Sequence, residues 1–309
     1  VREESKKIQL ELGNVSLEPD LGSYYIDMRP AMVHYKPNIW NGKFDDDGVP
    51  MCMSYNSELY YSHVNVTQYG FILHANWMED KNEHTLTKLK AFLNVLENLK
   101  TEMLDSCAWY QQYYEKKYQI PTPWASAMAQ GECISFYLRM YQILKDEKLL
   151  NTAIKAYQYL DIDYSEGGVK RIDKAGNLWY EEFPSDPPSF VLNGFIYTLF
   201  GLYDLYRVTG QKDVLDNINR CVKTIKENLH KYDAGYWSYY DLLKKELVRY
   251  YYQKNVHVPQ LKALYILTKE SIFHYYAIRW ENQLTPLNYL LVKIMYRILP
   301  RWQKKSFRL

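Results

Sequence analysis

Cysteine is scarce in this chain of 309 residues, and the four present, Cys52, Cys107, Cys133 and Cys221, form no CxxC or Cys/His spacing. Neither a zinc site nor a disulfide framework is expected, and a reducing compartment fits. His34, His63, His74, His84, His230 and His274 also lack metal-ligand spacing. No GxGxxG, P-loop, GxSxG or HExxH occurs, so cofactor-free and metal-free chemistry is the expectation. The acidic run at Asp45, Asp46, Asp47 and Gly48 lacks the alternation and the distant glutamate that close a calcium loop. Missing too is any apolar run near the roughly 20 residues of a membrane helix. The charged start VREESKK is no signal peptide, and a cytoplasmic setting is expected, with the Golgi lumen or secretory pathway if an N-terminal segment has been removed. Charge of one sign is not in excess: 38 Lys and Arg face 36 Asp and Glu, which excludes a global pull toward nucleic acid.

What the chain does have is aromatic side chains. There are 32 Tyr and 8 Trp, and aromatics reach 16%. Rings with a polar edge suit the apolar faces and hydroxyls of sugars, although a single tyrosine more often packs with its hydroxyl at the surface. Clusters therefore carry the argument. A hydrophobic share of 47% is ample for a large core.

Residues 1–60 alternate polar and apolar over short runs with Gly, Pro and Asp breaks, and read as an irregular β-rich segment packing on the remainder of the chain. From 61 to 309 the periods are helical and repeat. Four blocks led by Gln68, Gln130, Asn193 and His257, at steps of about 62 to 64 residues, each read as helix, charged turn, helix. The first helix of each block is apolar on most sides and belongs inside; the second is striped and belongs outside. The expected fold is mainly α, an (α/α) toroid or barrel of helical hairpins. Three long linkers, around 105–124, 163–188 and 230–255, join an outer helix to the next inner one, so they converge on one face. Linkers that long in a compact domain are usually functional, which makes that face the expected site.

The middle linker, Gly176 to Phe195, crowds Trp179, Tyr180, Glu181 and Glu182 against a proline-broken turn before an apolar helix. The block from Trp124 to Tyr206, with SAMAQGE, LWYEEFP, PSFVLNGF and GLYDLY in that order, resembles the C-terminal catalytic domain of the D-glucuronyl C5-epimerase family. Weaker likeness runs through VNVTQYGF upstream and YDAGYWSYYDL and HVPQL downstream. The resemblance implies an (α/α) barrel that inverts glucuronate to iduronate in heparosan-type polymers by tyrosine-mediated proton transfer at C5. Family positions carry over as Glu182, Tyr240 and Tyr252. In two places the chain departs from the family pattern: Phe183 stands where the family has tyrosine, and Leu243 where it has an arginine for the substrate carboxylate.

Such chemistry needs two proton carriers and a cation or hydrogen-bond donor to favour a phenolate, since a free phenol has a pKa of about 10. Tyr180 is the candidate to replace the phenol absent at Phe183, and Lys244 or Lys245 the arginine absent at Leu243; Lys244, Lys245, Arg249 and Lys254 lie close in sequence to supply positive charge, with Lys244 and Arg249 as substrate-binding candidates and Trp179 and Phe183 as sugar contacts. Gln130, Asn193 and His257 head inner helices, where they either cap the helix or bind sugar hydroxyls. The partner expected is a glucuronate-containing oligo- or polysaccharide, and a homodimer is compatible with this reading. A polysaccharide lyase, an inverting hydrolase using Glu182 and Asp241, or a glycan-binding protein with a degenerate site are the rival readings.

Overall fold

Inner and outer helices alternate along the chain, as the repeats require. The computed structural model describes residues 10–35, 40–54 and 57–295; the start VREESKK lies outside them. Among the described residues four hairpins occur in succession: α1 (His63–Asp80) with α2 (Glu83–Leu99), α3 (Ala127–Leu144) with α4 (Glu147–Leu160), and α5 (Leu192–Thr209) with α6 (Lys212–Asn228). The last begins with the short α7 (Tyr250–Tyr252), widens into a π-helical turn over Gln253–His257, and continues as α8 (Val258–Thr268) before α9 (Ser271–Asn282). Among the described residues no helix is long and apolar enough to cross a membrane.

The turns are set by local chemistry. α1, α3, α5 and α8 each end on a left-handed residue, Lys81, Lys145, Gly210 and Lys269, which stops the helix and returns the chain. Asn82 and Asp146 then cap α2 and α4 through their side chains. Helix α3 is buried without a break from Ala127 to Met140, whereas α6 buries a stripe containing Val214, Ile218, Cys221 and Ile225. The former has no face to offer water; the latter has one. α3 and α5 approach so closely that a Cβ on Gly131 would sit 2.5 Å from the Thr198 Cα, and one on Gly201 2.4 Å from the Gly131 oxygen. Only glycine allows that contact.

The N-terminal region does more than lie on the ring. A short hairpin of Glu11–Leu12 with Ile26–Asp27 packs against α8, and the segment between its strands enters the ring. Tyr24 stacks on Phe71 of α1 at 3.9 Å, and Tyr25 stacks on Phe200 of α5 at 4.7 Å. Both tyrosines are fully buried. Tyr25 donates to Asp204, which also pairs with Arg139 at 2.6 Å and Arg207 at 3.2 Å. These partners lie toward the C-terminal ends of α3 and α5, so residues 18–25 close that end. Arg207 holds the Glu18 and Asp20 carbonyls and Arg139 holds that of Gly22.

Candidate functional site

At the opposite end, where the inner helices begin, the three linkers meet. They are not plain loops: the first contains hairpins pairing Thr101–Glu102 with Cys107–Ala108 and Tyr110–Gln111 with Trp124–Ala125, and the second pairs Lys170–Ile172 with Leu178–Tyr180. Hydrogen bonding within each linker fixes its tip. Tyr118 of the first stacks on Phe183 of the second at 4.7 Å and donates to Asp241 of the third at 2.8 Å. Val191 and Asp241 form a β-bridge between the second and third.

The pair Glu181–Glu182 divides at this junction. Glu181 turns into the proline loop, where it accepts from Ser189 Oγ and the Phe190 amide and pairs with Arg171 at 3.2 Å. These bonds, with Tyr232 donating to the Phe190 carbonyl, hold Phe190 at a left-handed φ of 48°. For a bulky residue that conformation is costly and must be imposed. Glu182 faces the other way, onto the first turn of α5. A Cβ on Gly194 would meet the Glu182 Oε2 at 2.2 Å, so glycine makes room for the carboxyl group. Its Oε1 accepts from Tyr240 Oη at 3.1 Å, and the Tyr240 ring meets that of Tyr252 edge-on at 5.7 Å. The second and third linkers, the latter through α7, thus bring Glu182, Tyr240 and Tyr252 together, with both tyrosine residues half-buried.

Burial is the main cause of the electrostatics here. It pushes the Glu182 carboxyl up to about 8, against the hydrogen bond from Tyr240 and the charge of Lys117. The Tyr240 and Tyr252 phenols are pushed well above the usual range, first by burial and then by Glu182. Glu132, enclosed in α3 and hydrogen-bonded by Gln68 and Thr67, is likewise raised to about 8 by burial. Neutral acids and neutral phenols therefore fill the mouth of the ring near pH 7.

Some of the buried atoms without partners belong to this end of the ring, and others, such as Tyr24 Oη and Tyr180 Oη, lie away from it. Glu182 Oε2, Asn193 Oδ1, Gln260 Oε1 and His257 Nε2 have no hydrogen-bond partner among the described residues. Unsatisfied buried polar groups are uncommon and call for a ligand or solvent partner. The tautomer of His257 is set by its neighbours. Gln253 donates to the Trp280 carbonyl and accepts from both the amide and the hydroxyl of Ser238. The Ser238 proton is thereby committed, so the 3.0 Å contact to His257 Nδ1 requires the proton on Nδ1. Nε2 is left as a bare acceptor, and burial lowers the imidazole to about 3, keeping it neutral. The π-helical turn over Gln253–His257 supplies both ends of this relay; such turns often occur at functional sites.

Other expected site residues are placed elsewhere. Tyr180 is buried, with Cys221, Tyr157 and Asp161 of α6, α4 and its end as electrostatic neighbours, so it does not replace a phenol beside Glu182. Strand alternation and packing against the outer helices decide that. Trp179 is buried against Phe190 and Phe195 with its indole N–H on Asp173, and is no sugar platform. Gln130 binds the Trp109 amide and the Cys107 and Ala156 carbonyls, so its amide ties the first linker and α4 to α3 and neither caps the helix, which Ser126 does, nor faces a sugar. Asn193 reaches the mouth through its free Oδ1. Phe183 and Leu243 pack in one apolar cluster with Tyr118, Ile120, Trp124, Val191 and Tyr240. Lys244 and Arg249 are exposed; the cation over the site's rings is Lys117, 4.6 Å from the Tyr240 centroid. Sequence reasoning missed Lys117 and Tyr118 because nothing in YEKKY separates a working lysine from a solvated one. Asp45 is bonded to the Asp47 and Val49 amides and to Tyr61, and among the described residues no group of three His, Cys, Asp or Glu gathers as a metal site. A surface cavity of ≈ 590 Å³ on α9, lined by His274, Tyr275 and Arg279, contains neither Glu182 nor the tyrosine pair.

The family model described as D-glucuronyl C5-epimerase C-terminus matches residues 97–282, well over half of the chain. This chain belongs to that family. The D-glucuronyl C5-epimerase of Caenorhabditis elegans is 39% identical over 184 residues, 54% of this chain and 30% of the nematode protein. An uncharacterized protein of Methanocaldococcus jannaschii is 31% identical over 177 residues, 56% of this chain and 57% of that one. The chain thus spans under a third of the nematode enzyme's length and little more than half of the archaeal protein's. Among solved structures, a family 76 glycoside hydrolase, an α-mannanase of Bacteroides thetaiotaomicron, superposes with a TM-score of 0.50 over 79% of this chain and 64% of that one. At 13% identity that likeness bears on the α/α-barrel fold alone. Within the epimerase family's matched segment lie Lys117, Glu182, Tyr240, Tyr252 and His257; the tyrosine plug at Tyr24 and Tyr25 lies outside it.

Proposed function

We propose that this chain is the catalytic part of a uronate C5-epimerase, inverting D-glucuronate to L-iduronate within a glycan. The observation that carries the reading is the Glu182–Tyr240–Tyr252 constellation, assembled from separate linkers inside the segment that matches the epimerase family. In the proposed reaction the C5–H bond breaks, its electron pair delocalises into the sugar carboxylate, and a phenol on the opposite face returns a proton to C5. Tyr240 passes its proton to ionised Glu182 and becomes the acceptor for C5; Tyr252 is the second carrier. Burial makes the Glu182 carboxylate a stronger base than a carboxylate in water, but it raises the Tyr240 phenol as well, so the proton transfer also needs a nearby cation that favours the phenolate. His257 Nε2 and Asn193 Oδ1 are acceptors for sugar hydroxyls. Asp241, fully buried beneath Tyr118 and Lys117, is an anchor and not a base that activates water, which disfavours the inverting-hydrolase reading.

The test is incorporation of solvent deuterium at C5 of a glucuronate polymer such as heparosan. Wild type is expected to label the polymer and form iduronate, and Tyr240→Phe and Tyr252→Phe to lose about 10²–10⁴-fold in rate. Because the mechanism needs ionised Glu182, exchange should rise with pH through about 8 and the rise should vanish in Glu182→Gln. An unsaturated uronate chromophore would instead assign a lyase, and binding without label a glycan-binding protein.

A further inference from the structure

Removing a proton beside a carboxylate places extra charge on that carboxylate, and a fixed cation or hydrogen-bond donor aimed there stabilises it, usually the largest contribution to such a reaction. The basic residues near the tyrosines in sequence, Lys244, Lys245, Arg249 and Lys254, are exposed. A lysine from a different linker occupies the position they were expected to fill. Lys117 Nζ stands 4.6 Å from the Tyr240 ring centroid and 5.0 Å from that of Tyr118. It also lies 2.9 Å from Glu246 and 3.3 Å from Asp241. An ammonium has three N–H donors, so two carboxylates leave one for a ligand.

Lys117 is shared between these two carboxylates and is not the sole partner of either. Asp241 already accepts from the Tyr118 hydroxyl and the Lys244 amide, and the Glu246 side chain is 46% exposed to water. Lys117 itself keeps 31% of its side chain exposed, enough to be reached. The apolar wall of Phe183, Leu243, Tyr118 and Trp124 runs beside it and lowers the local dielectric, which strengthens a charge contact made there.

We infer that Lys117 is the specificity-determining cation of this site, receiving the carboxylate of a uronate whose C5 lies between Tyr240 and Tyr252. The inference rests on the epimerase reading for the identity of the sugar, but its own content is recognition of an anionic sugar by charge. A lysine meets that carboxylate as a point charge without the two-pronged grip of a guanidinium, so Lys117→Arg keeps recognition.

The experiment is calorimetric titration of a glucuronate-containing oligosaccharide, and of the same oligosaccharide with its carboxylates reduced to hydroxymethyl groups, into wild type, Lys117→Met, Lys117→Arg and Glu246→Gln. C5 solvent exchange is measured in parallel. Wild type should prefer the acidic ligand. Lys117→Met should lose about 10–100-fold in affinity for it while binding the reduced ligand within twofold of wild type. Lys117→Arg should stay within a few-fold, and Glu246→Gln should tighten the acidic ligand by a few-fold. Equal weakening of both ligands in Lys117→Met, no weakening of either, or a wild type that does not prefer the acidic ligand overturns the inference. Charge-dependent binding lost in Lys117→Met without any C5 exchange upholds Lys117 and ends the epimerase reading. Exchange that Lys117→Met leaves unchanged does the reverse.

Discussion

At the end of the ring where α3 and α5 finish, a carboxylate is enclosed with its countercharges: Asp204 accepts from Arg139, Arg207 and Tyr25, and the N-terminal segment lies across the top. At the end where they begin, Glu182 accepts from one phenol and keeps its second oxygen unpartnered. Both carboxyls are buried, yet the first is neutralised by guanidinium groups and the second by holding its own proton. The difference separates a group that fixes the fold from one that can exchange a proton near neutral pH. Counting acidic residues does not make that distinction; asking what each acid is bonded to does.

The comparison can be broken at either end. The largest effect on stability should come from Asp204→Ala, which strands two buried arginines; a loss of about 3–5 kcal/mol is expected in chemical denaturation. A change under about 1 kcal/mol would mean that the closed end contributes no more than a surface pair. A smaller effect is expected from the protonated acids. Glu182 and Glu132 have folded pKa values raised to about 8 from an ordinary 4.5. Their contribution to stability is therefore fully present below about pH 4.5 and is lost as pH rises through about 8. Glu132→Gln should flatten the fall in unfolding free energy between pH 5 and pH 8.5, followed by chemical denaturation, by an amount on the order of 2–4 kcal/mol relative to wild type. Parallel curves for variant and wild type would refute the assignment. The smallest effect is expected from Phe183→Tyr, because the ring lies in an apolar cluster between Tyr118 and Trp124. Exchange should change less than tenfold; a gain beyond that would show that a phenol at 183 carries protons.

Much of the frame was legible in the residues. The near-constant spacing of Gln68, Gln130, Asn193 and His257 marked the four inner helices because a helix buried on all sides has to be apolar on all sides. The same reasoning sent three long linkers to one face. Less legible were the hairpins inside those linkers, whose pairs are two or three residues long and leave little period-2 signal. The plug was hidden as well: Tyr24 and Tyr25 sit in a segment that reads as surface strand and loop, and only the cavity between α1, α3 and α5 makes them core.

By itself, then, the sequence determined the helical repeat, the inner and outer faces and the family, since these depend on local periodicity and on motifs that keep their spacing along the chain. Which of Glu181 and Glu182 faces the mouth, which lysine stands over Tyr240, why Tyr180 does not replace the phenol and which nitrogen of His257 is bare were decided only in the tertiary structure. Each depends on a partner far away in the chain, Ser189 against Tyr240, Lys117 against Lys244, Cys221 against Glu182, Ser238 against solvent. Burial and hydrogen bonding between distant residues, not residue type, set the direction and protonation of those groups.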